Sequence, residues 1–209
     1  MSLFVKICGI CSRSDLEQIS ALKPNALGFV LWGKSKRYMA PETVGQWETP
    51  PGIRRVGVFV DPSEAELRHA AVAARLDVLQ LHRVSNAWKI DRAEFQGLEI
   101  WRALSPEELQ GSFKHQGLGF QFDRLLLDSY DPQTVGGTGQ TCNWNQAHQI
   151  VQTVETPILL AGGLNSDNVA EAIRQVQPWG VDVSSGVEVE PGEKDIAKVK
   201  AFISACRVS

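Results

Sequence analysis

The 209-residue chain is predicted to form a single-domain (β/α)8 barrel, an α/β fold, spanning residues 1–209. The first observation is a recurrence of short apolar, β-branched runs about every 20 to 30 residues, separated by polar or helix-like segments. The second is their number, since eight runs occur, at 3–7, 26–31, 53–60, 77–81, 98–103, 123–128, 157–161 and 180–184. Eight strands that alternate with helices fit a closed parallel barrel, and the chain is short for that fold, so several helices should be brief. A doubly wound open sheet would show the same local alternation and stays an alternative.

Three helices are indicated between and after these runs. Residues 62–74 carry a proline near the first turn and two early glutamates, and residues 166–176 open on Ser166 and Asp167 as candidate caps. A pattern of 3.6-residue period closes the chain over 196–206. Residues 84–98 have no clean period, so the fourth helix should be short or replaced by a loop.

Composition excludes several classes of partner. Apolar residues make up 43% and charged residues 22%, and the formal charge of -3 leaves no basic surface for nucleic acid or an anionic membrane. We therefore expect a small-molecule partner and a monomer. The apolar runs are too short to span a bilayer, and Lys6 interrupts the first of them, so we expect a cytoplasmic protein. The four cysteines are unevenly spread, which argues against a disulfide framework or a zinc site.

Cys8 is the first candidate for chemistry, because it directly follows the first run and precedes a glycine. Strand alternation places Lys6 on the same face at about 6 to 7 Å, where its ammonium would favour the thiolate. Two other interpretations stay open at this point. Cys8 could be a small buried hydrophobe, or Cys8 and Cys11 could form a dithiol redox pair.

Asp128 ends the sixth run and precedes the glycine-rich loop 136–139. In a parallel barrel the carboxyl ends of all strands open on one face, so Asp128 and Cys8 could act together as an acid and a base. Asp128 could equally be a turn residue that binds backbone amides. The glycine-rich loop could close as a lid, and Gly137 within it is expected to help bind phosphate.

Glycine turns follow the seventh and eighth runs, which is where barrels of this type commonly bind phosphate. The residues expected to bind it there are Gly162, Gly163, Ser185 and Gly186.

Four further side chains are candidates for binding substrate. Arg37 follows the second run and offers a planar fork that suits a carboxylate. Gln80 and His82 share one face of the fourth strand, and Asp182 precedes the turn after the eighth. Each could instead be structural or solvated.

These residues resemble the phosphoribosylanthranilate isomerase family along essentially the whole chain. The motifs that carry the resemblance are Lys6-Ile7-Cys8-Gly9-Ile10, Gly28-Phe29-Val30 with Ser35 and Arg37, Gln80-Leu81-His82, Asp128 with Gly136-Gly137-Thr138-Gly139, Leu160-Ala161-Gly162-Gly163-Leu164, Val181 to Glu188, and Pro191-Gly192 with Lys194-Asp195.

The resemblance implies an Amadori rearrangement in tryptophan biosynthesis that needs no cofactor and no metal. It implies that Asp128 is the general acid, Cys8 the general base and Arg37 the residue that binds the anthranilate carboxylate. The acid should hold its proton near neutral pH, so we expect a raised pKa at Asp128.

The chain departs from the family pattern at three places: Arg83 replaces a glycine, Cys11 replaces a threonine, and Thr141-Cys142-Asn143-Trp144 replaces a Thr-Phe-Asp-Trp motif. Because Arg83 lacks the freedom of glycine at positive φ, we expect a different path for the fourth loop.

Two other functions remain as alternatives to the isomerase. One is a histidine-pathway aminoaldose isomerase on the same scaffold, and the other is a phosphate-ligand binder without catalysis.

Overall fold

A computed structural model of the protein describes residues 3–85, 89–112, 122–128 and 143–208. Eight parallel strands close into a barrel in the order β1 to β8, with β1 hydrogen-bonded to β8. The strands are Phe4–Cys8, Ala26–Val30, Arg54–Val60, Val78–His82, Glu99–Leu104, Arg124–Asp128, Ile158–Ala161 and Gly180–Val183. The barrel is confirmed, and the doubly wound alternative is wrong because a closed ring of strands has no open edge.

Seven α-helices accompany the strands among the described residues, and most are short, as the chain length requires. They are α1 (Arg13–Ala21), α2 (Pro41–Gly45), α3 (Glu64–Ala73), α4 (Pro106–Ser112), α5 (Trp144–Thr153), α6 (Val169–Val176) and α7 (Ile196–Val208). In the region 84–98, where the sequence shows no clean period, a 3₁₀ turn, Arg92–Phe95, is the one helical element among the described residues. A short antiparallel hairpin, β9 (Glu188–Glu190) and β10 (Glu193–Lys194), follows β8.

Two helix starts differ from the sequence interpretation. Helix α3 begins after Ser63, whose hydroxyl accepts from the backbone of Glu66 in a capping box, so Pro62 lies just outside it. Helix α6 begins at Val169, with Asn168 at the N-cap. Ser166 and Asp167 are therefore not caps. The Asn165 side chain accepts hydrogen bonds from the backbone of Asp167 and Asn168, which folds this segment into a turn ahead of the helix.

The core has two layers. The larger one lies between the outer faces of the strands and the helices, and the smaller one fills the barrel interior. At the amino-terminal end of the barrel Phe4 stacks on Trp179 with ring centroids 4.5 Å apart, and the edge of Trp101 meets Phe4 at 5.8 Å. This aromatic cluster closes the lower end of the barrel and leaves the carboxyl ends of the strands for a site. None of the described helices is long and apolar enough to cross a bilayer.

Candidate active site

Five of the predicted site residues, together with Lys6, face the barrel interior in the middle or at the carboxyl ends of their strands. Side chains alternate along a strand, so residues two positions beyond the inner-core residues Phe4, Val78 and Leu126 also point inward. This rule places Lys6, Gln80 and Asp128 inside, and one further step adds Cys8 and His82. Asp182 joins them from β8, where it is the register partner of Lys6.

Lys6 and Asp182 form an ion pair inside the barrel below Cys8. The Nζ–Oδ1 distance is 2.9 Å, and the Lys6 side chain has no exposed surface. Burial alone lowers the pKa of Lys6, but the charge of Asp182 and the nearby Cys8 sulfur outweigh it and raise the pKa above its ordinary value. The ammonium is therefore firmly protonated beside the cysteine.

Lys6 favours the Cys8 thiolate, as the sequence predicts, but burial of the sulfur has the larger effect. Burial raises the pKa of the Cys8 thiol above its ordinary value. The charge of Lys6 lowers it, as expected, but offsets only part of the desolvation, and the carboxylate of Asp182 adds to the rise. Cys8 is thus a protonated thiol at neutral pH whose thiolate, once formed, is a strong base.

Gly28 on β2 makes room for this arrangement. A Cβ atom at residue 28 would lie 2.8 Å from Cys8 Sγ and 3.0 Å from Lys6 Nζ. The two functional side chains therefore occupy the space that any other residue would fill.

Arg37 lies beside the turn that follows Cys8, with its Cδ atom 2.8 Å from where a Cβ of Gly9 would be. The Arg37 guanidinium is held by the carboxylate of Glu188. Nε donates to Oε1 at 2.8 Å, and Nη2 donates to Oε2 at 2.5 Å. Lys194 binds the same carboxylate, with Nζ 2.8 Å from Oε1. Sequence reasoning missed this cluster, since Arg37 and Glu188 are 151 positions apart and only the closed barrel brings them together.

The Cys11 thiol lies between the turn after β1 and the loop that carries Arg37. Its thiol lies 3.6 Å from the carbonyl oxygen of Gly9 and 3.5 Å from that of Arg37, within reach for weak hydrogen bonds to both. Cys8 and Cys11 are both free thiols. The thiol thus ties the loop after β2 to the turn after β1, at the position where the family has threonine.

Gln80 and His82 contact each other on the inner face of β4. The amide nitrogen of Gln80 lies 2.9 Å from Nε2 of His82, and Gln80 Oε1 is buried without a hydrogen-bond partner among the described residues. Burial, with the charges of Lys6 and Arg83, lowers the pKa of His82 to about 4. His82 is therefore neutral at physiological pH. In the tautomer with the proton on Nδ1, its Nε2 can accept a hydrogen bond from the Gln80 side-chain amide.

Arg83 adopts the backbone conformation that glycine would favour, with φ at 57°. Arg83 therefore bears the strain of a Cβ in the left-handed region, while the different path of the fourth loop stays a prediction, since residues 86–88 lie outside the described residues.

Glycine turns follow β7 and β8 as expected. Gly162 and Gly163 both have positive φ, 82° and 65°. Gly186 lies in the 3₁₀ turn Ser185–Val187, and a Cβ on it would collide with the carbonyl oxygen of Leu164 in the loop after β7. The loop after β8 therefore packs directly on the loop after β7, so the two loops that carry the four predicted phosphate-binding residues are neighbours.

Asp128 ends β6 in register with Ala161 and is partly buried. Gly137 and the rest of the loop 136–139 lie outside the described residues, as do Thr141 and Cys142.

The fold and site together define a (β/α)8-barrel enzyme that has a thiol, a lysine and carboxylates at the carboxyl ends of its strands. A family model described as N-(5'-phosphoribosyl)anthranilate (PRA) isomerase matches residues 5–205. The chain belongs to this family, whose members are aldose–ketose isomerases of tryptophan biosynthesis.

Individual relatives agree with the family match. The chain is 37% identical to the N-(5'-phosphoribosyl)anthranilate isomerase of Clostridium acetobutylicum over 97% of both chains. The phosphoribosylanthranilate isomerase structure from Thermotoga maritima superposes with a TM-score of 0.85 at 33% identity, covering 99% of this chain and all of the other. A further isomerase structure, solved in complex with reduced 1-(o-carboxyphenylamino)-1-deoxyribulose 5-phosphate, has a TM-score of 0.81 at 30% identity, with 99% of this chain and 100% of the other covered.

Proposed function

We propose that this chain converts N-(5'-phosphoribosyl)anthranilate into 1-(2-carboxyphenylamino)-1-deoxyribulose 5-phosphate, with Cys8 as general base and Asp128 as general acid. The observation that carries the proposal is the placement of these two side chains, which face the barrel interior at the carboxyl ends of β1 and β6. The relative solved with a reduced form of this product supports the choice of substrate.

Asp128 acts in the first step. Its carboxyl group gives a proton to the ring oxygen of the ribose, the bond from that oxygen to C1' breaks, and the nitrogen lone pair forms the Schiff base. A carboxyl acid must be protonated for this step, so a raised pKa at Asp128 stays a prediction.

Cys8 acts in the second step. Its thiolate takes the proton from C2', and the electron pair moves into the protonated Schiff base to give an enolamine, which tautomerises to the aminoketose. Lys6 stabilises the thiolate, while burial of the sulfur makes that thiolate a stronger base than an exposed one. The site thus pairs a small thiolate population with high basicity.

The remaining residues bind the substrate. Arg37 receives the anthranilate carboxylate, and the loops with Gly162, Gly163, Ser185 and Gly186 receive the phosphate, assisted by Gly137. Gln80, His82 and Asp182 contact the sugar. Gln80 Oε1, which has no hydrogen-bond partner within the part of the chain that the structure describes, is available to accept a hydroxyl hydrogen.

The test is turnover of freshly generated phosphoribosylanthranilate without added metal or nucleotide, followed as loss of anthranilate fluorescence. Cys8→Ala and Asp128→Asn should each lose at least about a thousandfold in kcat, in the range that removal of an essential acid or base costs. Cys206→Ala and Asp91→Asn are the matched controls, a buried thiol on α7 and an exposed carboxylate ahead of β5.

Retained activity in either site variant refutes that residue's role. Absence of turnover by the folded wild type refutes the substrate, and the histidine-pathway substrate would then be assayed. Cytoplasmic localisation and the monomeric state stay predictions.

A further inference from the structure

The carboxylate of Glu188 lies between two cations. Arg37 donates to it from Nε and Nη2, and Lys194 Nζ is 2.8 Å from Oε1. The three side chains come from the loop after β2 and from the two strands of the β9–β10 hairpin, which lies outside the eight strand–helix units. The hairpin thus places the anion Glu188 against the Arg37 guanidinium and the cation Lys194 behind Glu188.

Exposure decreases from Arg37 inward. The side chain of Arg37 is 24% exposed, that of Glu188 is 4% exposed and that of Lys194 is fully buried. Burial pushes the pKa of Glu188 upward, yet the hydrogen bond from Arg37 and the charge of Lys194 bring it below its ordinary value. Glu188 is therefore an anion at neutral pH, and the cluster carries one net positive charge.

That net charge depends on Lys194. Without it, Glu188 would neutralise Arg37, and an incoming carboxylate would approach an ion pair whose anion repels it as its cation attracts it. With Lys194 behind it, the Glu188 carboxylate is shared between two cations, and the partly exposed guanidinium of Arg37 retains its attraction for a second anion.

Lys194 is also fixed relative to the rest of the site. Its Nζ donates to the carbonyl oxygen of Ser184 at 3.2 Å and lies 3.4 Å from where a Cβ of Gly9 would be. It therefore contacts the turn after β1 and the loop after β8 without facing solvent.

We propose that Lys194 is a positioning residue that acts through Glu188, leaving Arg37 both oriented and net positive for the aryl carboxylate of the substrate. The proposal rests on the proposed function, in which Arg37 binds that carboxylate. It assigns substrate specificity to the hairpin after β8.

The experiment compares two substrates on each enzyme preparation, phosphoribosylanthranilate and the analogue formed from ribose 5-phosphate and aniline, which lacks the carboxylate. The readout is the ratio of their kcat/KM values, in which the folded fraction of a variant cancels. Lys194→Met should lower this ratio at least tenfold, mainly through a higher KM for the carboxylated substrate. Lys200→Met, on an exposed lysine of α7, removes the same charge and should leave the ratio unchanged.

Rescue separates charge balance from simple damage. The double variant Lys194→Met/Glu188→Gln removes one positive and one negative charge, so the cluster is again net positive, and the ratio should return to within about threefold of the wild type. A structural role for Lys194 predicts the opposite, since the second substitution would add damage. Lys194→Gln serves in place of Lys194→Met if the latter does not fold.

Arg37→Met distinguishes the two proposals. If Arg37→Met lowers the ratio and neither Lys194 variant does, the role of Lys194 is overturned while Arg37 keeps its own. If Arg37→Met leaves the ratio unchanged, Arg37 does not bind the carboxylate, and both assignments are overturned.

Discussion

Lys6 and Asp182 are register partners on β1 and β8, and their side chains meet at 2.9 Å inside the barrel, directly below the thiol of Cys8. The pair sets two opposing charges beside one sulfur. Lys6 lowers the pKa of Cys8 and Asp182 raises it, with Lys6 having the larger effect of the two. The pKa of the proposed catalytic thiol should therefore change in opposite directions when the charge of Lys6 or that of Asp182 is removed.

Substitutions in this pair should move the pKa of Cys8 in opposite directions. Asp182→Asn removes the anion that opposes the thiolate, so the pKa should fall and the thiolate should appear at lower pH. Lys6→Met/Asp182→Asn removes both charges without leaving either buried and unpaired, and because the loss of Lys6 dominates, the pKa should rise. Titration of thiolate absorbance in the ultraviolet measures both, with Cys8→Ala as the blank. Shifts of the same sign in the two variants would contradict this account.

Gly28→Ala adds a single methyl group but should strongly impair activity. The new methyl group would lie 2.8 Å from Cys8 Sγ and 3.1 Å from the Cys8 Cα atom, so the thiol must move. We expect a loss of at least about tenfold in kcat and roughly 1 to 3 kcal/mol in stability, the usual cost of overpacking. Gly33→Ala is the control, since nothing lies within 4 Å of its added Cβ. Equal activity in the two variants would show that the site accommodates the methyl group.

Arg83→Gly should stabilise the protein by up to about 1 kcal/mol. Residue 83 has φ at 57°, where a Cβ is strained and glycine is not, although the greater freedom of glycine in the unfolded chain offsets part of the gain. Arg83→Ala isolates the side chain's own interactions, because alanine keeps the Cβ. Urea unfolding of the three proteins measures the difference. A glycine variant no more stable than the alanine variant would exclude strain at this position.

Stability should fall as the pH drops from about 6.5 to about 4 because of His82. Its folded-state pKa of about 4 lies below the unfolded value of 6.5, so the unfolded chain binds the proton more tightly in this window. The shift corresponds to roughly 3 kcal/mol, fully present as stability above pH 6.5 and lost once the pH reaches the folded pKa. His82→Gln cannot titrate and should flatten this part of the curve. Unfolding free energies at a series of pH values test it, and parallel curves for the two proteins would assign the loss to other groups.

Local sequence patterns were sufficient for the strands and for most of the inward-facing site. The first apolar run predicts a strand at 3–7, and β1 is Phe4–Cys8, so period-two alternation correctly places Lys6 and Cys8 together. Ser166 and Asp167 do not cap α6. The Asn165 side chain instead accepts hydrogen bonds from the backbone amides of Asp167 and Asn168.

The thiol's pKa could not be predicted from its neighbour Lys6 alone. Desolvation depends on what surrounds the sulfur in three dimensions, and the opposing carboxylate, Asp182, comes from the other end of the chain. The Arg37–Glu188–Lys194 cluster could not be predicted from the sequence for the same reason, since a charged pair 151 residues apart leaves no local pattern.

By itself, then, the sequence determined the alternation of eight strands with helices, the family, and each strand to within one residue at either end, because strand periodicity and glycine turns are local properties that neighbouring residues encode. The tertiary structure alone decided which charges face one another and how strongly each group holds its proton. Coulombic attraction and desolvation depend on distance and burial, and closure of β8 onto β1 is what brings Lys6, Asp182 and Cys8 together out of water.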